Sequence, residues 1–485
     1  MANSNMEAIF AKIRENNYMV DSDIITELIS EHDTKLMKEG VRYYRSKSDI
    51  TKRQMYYFDG TGQRHVDEIK ENHKLVNNWH KLLVDQKVSY LVGRPMVFSI
   101  EDSQEDGVNY EFSEKIEMLL GDEWDDTVAD IATNASNKGT EWLHCCIDHK
   151  GYFKYVIAPA EEVIAVFDSP QESNLEAVLR YYSVQIEGDR YRVEWWTRET
   201  VTVYIEGSDG GFGLDASEPE NPAPHFRQGN IARGWGKVPF IEFRNNSFRA
   251  NDLEVTKTLI DEYDTAFSDF ANNNAEVQEI IMILRGYEAT NLDSFRANLR
   301  FHKTIKLRAD PHSGVDKLEL NIPHEAKGAL MDRLEENIFM FGQGVNFKTD
   351  KFGNSPSGAS LEFLYTLLGL KASMMERKFR PSAKRLLWFT TMYINMEWHK
   401  TFDPDEVKAI FRINKAKNVK EIVDTLKTSR DMISDKTIVE QHPLVEDGAK
   451  EYRLLVEQRE EMASKEVDLS KNADKIDLSG VDINE

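Results

Sequence analysis

Apolar positions at residues 67–92 recur at helical spacing, with Leu75, Val76, Trp79, Leu82 and Leu83 in phase and the polar Gln86 continuing the repeat. That pattern predicts one helix, which Gly93-Arg94-Pro95 stops and Met96–Ile100 follows as a short strand. Upstream, residues 1–60 read as polar helix with a start at Asp21-Ser22-Asp23. Residues 110–140 are again helical in pattern. From 141 to 206 the period becomes that of strands. Tyr152–Ile157, Val163–Phe167, Ala177–Ile186, Tyr191–Thr197 and Val201–Ile205 are rich in Val, Tyr and Trp and broken by Gly-Asp pairs, which predicts a meander. Residues 207–236 show little pattern and read as a loop, and Val238–Phe243 reads as a last strand.

The character then changes. Asn251–Gln278 predicts a long helix with Val255, Leu259, Tyr263, Ala266, Phe267 and Phe270 on one side. Glu254, Asp261, Asp264, Ser268 and Asn272 fall on the other. Residues 279–323 read as a small α+β insert, with strands at Ile280–Leu284, Thr304–Leu307 and Lys317–Ile322 and a helix at Asp293–Phe301. A second helix follows Pro323 with Leu330, Leu334, Ile338 and Phe341 in phase and ends at Gly342-Gln343-Gly344. Residues 345–358 form a loop rich in breakers. A very long helix is predicted for 359–400, kinked at Pro381, with Leu361, Leu364, Leu368, Ala372 and Met375 as core or subunit interface. Asp405–Ile413 reads as a strand and 418–464 as helix broken at His442-Pro443, while 465–485 carries no core pattern and reads as disordered.

The chain has 485 residues, 40% hydrophobic and 10% aromatic, enough for two to four compact units with real cores. Its 84 acidic and 61 basic side chains leave a net charge of −23, which argues against an ordinary DNA-binding protein with a basic surface. Two adjacent cysteines, Cys145 and Cys146, exclude a disulfide scaffold. No basic-then-apolar leader opens the chain, and its greasiest run, Phe363–Leu370, is too short to span a bilayer. The expectation is a soluble protein made inside the cell.

Candidate chemistry is sparse. Gly229–Gly234 lacks the lysine of a phosphate loop, no His-Glu-x-x-His or calcium loop occurs, and Gly353-Asn354-Ser355-Pro356-Ser357 misses a nucleophile elbow. His144-Cys145-Cys146-Ile147-Asp148-His149 invites a metal. On a strand, however, adjacent cysteines point to opposite faces and cannot share one ion. No catalytic residue, metal or cofactor is expected.

Four segments, in order, resemble the portal protein family of tailed bacteriophages, of the siphophage type. They are His73–Pro95; Val238-Pro239-Phe240-Ile241 leading into Asp252-Leu253; Gly353–Leu361 with Leu367–Leu370 and Glu376–Phe379; and Met432–Thr437 with His442–Val445. Each is weak alone; the order of elements that resembles the family runs from residue 67 to residue 460. The helix–insert–helix–loop–helix order agrees with them independently.

The resemblance implies an α+β portal fold: a mixed wing (1–250 and 359–415), a stem of two helices (251–278 and 324–344), a small clip (279–323), a tunnel loop (345–358) and a helical crown with an acidic tail (416–485). It implies a ring of about 12 copies at one capsid vertex of the virion, made in the host bacterial cytoplasm, without a membrane. Double-stranded DNA would pass through it. Terminase, a head–tail adaptor, and major capsid and scaffolding proteins would be its partners. The protein would be no enzyme, the terminase supplying ATP hydrolysis. A non-channel head–tail connector or minor capsid protein, or an acidic cytoplasmic enzyme, are the alternatives.

Under that resemblance the location of charge matters. Residues 252–278 carry seven acids and one base. Glu254, Asp261, Asp264 and Asp269 would line a negative bore, along which DNA slides because no phosphate is neutralised. A solvated face of an ordinary surface helix accounts for the same residues. Arg296, Arg300, Lys303, Lys306 and Arg308 form a basic clip surface for DNA, terminase or adaptor, or merely charged strand edges. Phe347, Lys348, Lys351 and Phe352 are the tunnel-loop candidates. That loop is longer than a helix connection needs.

Overall fold

The computed structural model describes residues 4–68, 70–100, 106–121, 123–169, 171–172, 174–185, 189–277, 281–285, 314–318, 324–346, 365–414, 419–430, 432–445 and 448–473. The chain divides into two units. One is Met1–Phe347 with Leu367–Asn414; the other is Lys348–Thr366 with Lys415–Glu485.

The first unit opens with α1 (Ser4–Glu15), α2 (Ser22–Glu31) and α3 (Lys35–Tyr44). Asp21 caps α2 by accepting the Ile24 N–H at 2.9 Å, which satisfies one of the unpaired donors of the first turn. A small hairpin, β1 (Tyr56–Phe58) and β2 (Arg64–Val66), is followed by α4 (Trp79–Val92), β3 (Val97–Ile100), α5 (Asp106–Leu120) and α6 (Glu123–Lys138). Residues 67, 68 and 70–78, expected within the first half of a helix ending at 92, are not helical; the N–H groups of His73, Leu75 and Asn77 are engaged elsewhere, as described below.

Strands β4 (Thr140–Ile147), β5 (Phe153–Ala158), β6 (Val163–Phe167), β7 (Leu175–Gln185), β8 (Asp189–Trp196) and β9 (Thr200–Glu206) occupy the strand-patterned region. The expected loop at 207–236 holds four more short strands: β10 (Phe212–Leu214), β11 (Ala223–Pro224), β12 (Phe226–Gln228) and β13 (Ile231–Arg233). β6 to β10 form the antiparallel meander. Alternation along β7 explains why it is covered on both faces. Ala177 and Leu179 join Ile9, Ile13, Ile25 and Leu28 of α1 and α2, whereas Val178 joins Trp142, Val163 and Phe240 on the reverse.

β14 (Phe240–Arg244) leaves the meander and pairs with β4, which also pairs β5. Its ladder starts after Pro239, whose carbonyl accepts the Cys145 N–H at 2.9 Å and whose nitrogen has no proton to give. Behind it, Gly139 turns α6 into β4 at φ +92°, and a Cβ there would lie 1.9 Å from the Arg249 carbonyl oxygen. Only glycine fits. Arg249 itself, at φ +53°, is held by forked ion pairs to Glu172 and Glu242.

Also described in this unit are α7 (Lys257–Val277), the antiparallel pair β15 (Ile281–Arg285) and β16 (Gly314–Leu318), α8 (His324–Gly342), α9 (Thr366–Glu397) and β17 (Val407–Ile410), which pairs β3. α9 runs through Pro381, and next to it Ser382 donates a hydrogen bond to the Glu242 carbonyl of β14. Leu368, Ala372 and Met375 are buried within the chain, so this part of the expected stripe is core; Leu361 and Leu364 lie outside the described residues. All sheets among the described residues are open, giving a mixed helix-and-strand fold with no closed barrel.

The second unit is described as three helices, α10 (Val419–Thr428), α11 (Asp435–Gln441) and α12 (Gly448–Ala473). Ser434 caps α11 through the Thr437 N–H. α12 extends through residues 465–473, where the sequence pattern predicted disorder.

Several histidines are buried as neutral rings. His144 stacks on Phe240 at 4.5 Å with the planes 8° apart, and burial pushes its pKa down to about 3. His80 shares a 2.9 Å hydrogen bond with Asn137 Oδ1 and is pushed down to about 4, again chiefly by burial. Unfolded, both titrate near 6.5, so on acidification the unfolded chain takes up protons first. Their share of stability is intact above about pH 6.5 and is lost as pH falls toward 4, by up to ~1.4 kcal/mol per pH unit for each ring. We expect thermal unfolding followed by circular dichroism to show this acid loss, and His144→Phe to flatten part of it. A slope unchanged by that substitution would refute the assignment.

Candidate functional site

The sequence singled out the helix after residue 250, and its start is built from two side chains. Asn251 Oδ1 accepts the Glu254 N–H, and a Glu254 carboxylate oxygen accepts the Asn251 N–H, both at 3.0 Å. This reciprocal capping box opens the turn that leads into α7. Glu254 is exposed but already occupied as a cap.

Next to the cap, Asp252 is sealed in the interior. Lys87 of α4 approaches it to 2.6 Å and Lys371 of α9 to 3.2 Å. Asn245 donates to its other oxygen at 2.9 Å and accepts from Lys87 at 2.7 Å. Burial alone would raise this carboxyl, but the two ammonium groups hold it well below the usual carboxylate range. Lys87 is pushed down to about 8 by the same burial. Lys371 also donates to the Gly342 carbonyl at 2.9 Å, at the last turn of α8, where a cation suits the helix dipole.

The polar stripe of α7 is covered rather than open. Asp264 accepts hydrogen bonds from the Asn77 backbone N–H (2.8 Å), the Asn77 side chain (3.0 Å) and Ser48 (2.6 Å). Ser268 Oγ accepts the Leu75 N–H at 3.0 Å, and Asn272 Oδ1 accepts the His73 N–H at 2.7 Å. Every fourth residue of the helix thus holds every second residue of an antiparallel extended strap. The geometry matches: four helical residues rise about 6.0 Å, and two extended residues advance about 6.6 Å. This arrangement also explains why residues 73–77 are not helix, since α7 takes the N–H groups of His73, Leu75 and Asn77.

The remaining acids on α7 are largely paired. Asp261 is bridged by Lys257 at 2.7 Å, which also reaches Asp49 at 2.7 Å, and Tyr43 donates its hydroxyl to Asp261. Asp269 pairs with Arg53. Asp264 has its carboxyl pushed up by burial, against the pull of its donors. The expectation that Asp264, with Ser268 and Asn272, forms an outward polar face is therefore corrected: they are buried under residues 48 and 73–77. Among the described residues, Glu254 and Glu262 are the acids of this segment that stay exposed.

α7 packs against α8, with Trp79 edge-on to Tyr263 and Phe339 at 5.2 and 5.6 Å. Leu334 and Ile338 are buried as the stripe on α8 predicted, but Leu330 and Phe341 are exposed. At the end of α8, a Cβ on Gly342 would sit 2.5 Å from a Leu83 methyl, which permits close approach to α4. Arg296, Arg300, Lys303, Lys306 and Arg308, and likewise Phe347, Lys348, Lys351 and Phe352, lie outside the described residues. Sequence reasoning missed Lys87, Lys371 and the strap. The available signal was Lys87 itself, a lysine in phase with buried Leu83, Val84, Val88 and Leu91.

His144 lies on the central strand β4, and Cys145 is buried while Cys146 is half-buried. No group of three or more His, Cys, Asp or Glu positioned for a metal occurs among the described residues. No described helix is long and apolar enough to cross a membrane.

Residues 26–465 match a family model described as phage portal protein, SPP1 Gp6-like. The portal protein of Bacillus phage SPP1 is 36% identical over 448 residues, covering 91% of this chain and 87% of that protein. The portal protein of Clostridium phage phiCD119 is 31% identical over 444 residues, covering 87% and 92%. Among solved structures, a chain from the neck of an empty GTA particle computed with C6 symmetry aligns with a TM-score of 0.44 and 10% identity, over 75% of this chain and 90% of that one.

Removing the central rung of the strap should be readable locally. Asp264→Ala leaves the Asn77 amide and side chain without their acceptor, at about 2 kcal/mol or more. We expect hydrogen exchange at the His73, Leu75 and Asn77 amides to rise well above that of α6. Unaltered protection there would show that the ladder does not hold the strap.

Proposed function

The chain belongs to the SPP1 Gp6-like family of phage portal proteins, and on that premise we propose that it assembles as a ring at one capsid vertex, through which double-stranded DNA is packaged and ejected. The observation that carries this reading is the family match over residues 26–465, with 36% identity to one portal protein across nine-tenths of the chain. The copy number proposed is about 12. The wing is residues 1–250 and 359–415, the stem 251–278 and 324–344, the clip 279–323, the tunnel loop 345–358 and the crown 416–485. The protein acts as a conduit and docking hub. It performs no catalysis of its own, and terminase supplies the work.

Within that reading, packing supports a revised account of the bore. An exposed line runs from Glu254, in the turn ahead of α7, through Thr258 and Glu262 on α7 at four-residue spacing. Repeated around a ring, its two acids would give the repulsive surface first assigned to Asp261, Asp264 and Asp269 as well. A wall that neutralises no phosphate releases no counter-ions, so DNA gains no tight hold on it. The strap and the buried Asp252 cluster would keep each stem helix fixed relative to its wing while DNA passes. Grip is then left to other places: Phe347, Lys348, Lys351 and Phe352 of the tunnel loop for transient contact with DNA, and Arg296, Arg300, Lys303, Lys306 and Arg308 of the clip for DNA, terminase or the adaptor. Scaffolding and major capsid proteins would meet the outer surface.

Negative-stain images of the purified protein test the assembly: rings with a central hole are expected, and compact monomers under all conditions would sink the reading. For the clip, Arg300→Glu with Lys303→Glu should leave rings intact while DNA packaging or adaptor docking falls about tenfold or more. Packaging and docking at the unaltered level would remove the clip from the contact surface.

A further inference from the structure

A cleft of about 410 Å³ in the first unit is lined by cations on three elements: Arg198 in the β8–β9 turn, Lys237 ahead of β14 and Arg385 on α9. Phe240, Trp388 and Phe389 contribute its apolar lining. Arg198 has an acid of its own, Glu176. Neither Lys237 nor Arg385 has an acidic partner among the described residues. Asp405, whose charge reaches Lys237, is paired with Lys384 at 2.9 Å. Lys237 instead sits 3.9 Å from the centre of the Trp388 ring. Burial, with the Arg385 charge added to it, holds its pKa below the usual lysine value. Both cations are exposed. On a chain with a net charge of −23, two neighbouring cations with no ion pair among the described residues run against the general balance.

We propose that this cleft docks an acidic segment of a partner protein, placing a carboxylate between Lys237 and Arg385 and an adjoining apolar side chain against Trp388. Cations beside an aromatic anchor are the composition of interface hot spots, and a carboxylate accepts charge-assisted hydrogen bonds from both groups at once. A peptide suits the cleft better than DNA does. Its size admits a few side chains rather than a duplex, whose major groove alone is about 12 Å wide, and the apolar lining offers nothing to a phosphate backbone. The inference goes beyond the portal reading and does not rest on it, because binding to this cleft is measured separately from ring formation.

The test uses full-length protein and fluorescence anisotropy with a labelled short peptide of alternating Glu and Leu. The same peptide with Gln for Glu and a labelled single-stranded oligonucleotide serve as comparisons. The Glu–Leu peptide should bind and the other two should bind far more weakly. Lys237→Gln should cost about tenfold in affinity, and Lys237→Glu with Arg385→Glu about a hundredfold, for two charge-assisted contacts. Trp388→Ala should weaken binding without altering charge, with circular dichroism confirming that each variant is folded. No binding of the Glu–Leu peptide, or unchanged affinity in the charge reversal, overturns the proposal. So does equal binding of the Gln peptide, which would mean an apolar groove only. Tighter binding of the oligonucleotide would make it a phosphate site. A change of oligomeric state on reversal would make the cleft a contact between copies.

Discussion

One buried carboxylate decides where four elements meet. Asp252 has almost no solvent contact, yet it lies between Lys87 of α4 and Lys371 of α9, with Asn245 at the end of β14 completing its hydrogen bonds. Because Lys371 also holds the last turn of α8, the start of one long helix and the end of the other are tied to the same group. A charge cluster of this kind adds little to stability compared with an apolar replacement of the same shape. Losing one member, however, leaves an uncompensated charge, at about 3–5 kcal/mol. Its value is therefore geometric: α7 and α8 can leave the body of the unit in one register only.

The strap extends that constraint along α7. Hydrophobic contact is non-directional and would let an extended segment slide. The acceptors on Asp264, Ser268 and Asn272 meet the N–H groups of residues 77, 75 and 73 one for one. A slip by one residue would turn all three N–H groups away from them. α7 is thus held by polar ladder on one side and by the apolar contacts of Tyr263, Trp79 and Phe339 on another. Among its described residues Ile260, Asp264, Ser268 and Asn272 are buried, and Thr258, Glu262 and Asn274 stay exposed.

That economy bears on how a strongly acidic protein can serve DNA. Much of the acid on this helix and just ahead of it is paired within the chain: Asp252 with two lysines, Asp261 with Lys257, Asp269 with Arg53 and Asp264 with the strap. Asp252 and Asp264 are buried and set geometry, while the half-buried Asp261 and Asp269 have their charge offset by a paired cation. The exposed remainder, Glu254 and Glu262, is smaller per chain, but repetition around a ring would multiply it. An acidic surface of this kind fits a conduit better than a clamp.

Local periodicity in the sequence determined most of the described elements: the meander from β6 to β9, the cap at Asp21, the two helices α7 and α8 on either side of an insert, and the buried Leu368–Ala372–Met375 stripe of α9. Such features depend on residues a few positions apart, so they can be read directly along the chain. What faces what was decided by tertiary structure. Asp264 looks solvent-facing because its partner Asn77 is 187 residues away. Residues 73–77 look helical because a helix and a strap share the same apolar residues until a distant helix claims their N–H groups. Lys87 was the visible exception, a lysine in a buried phase, but nothing along the chain says that Asp252 and Lys371 neutralise it. Pattern along a chain records which side chains prefer to leave water; only the assembled structure records which polar groups could afford to.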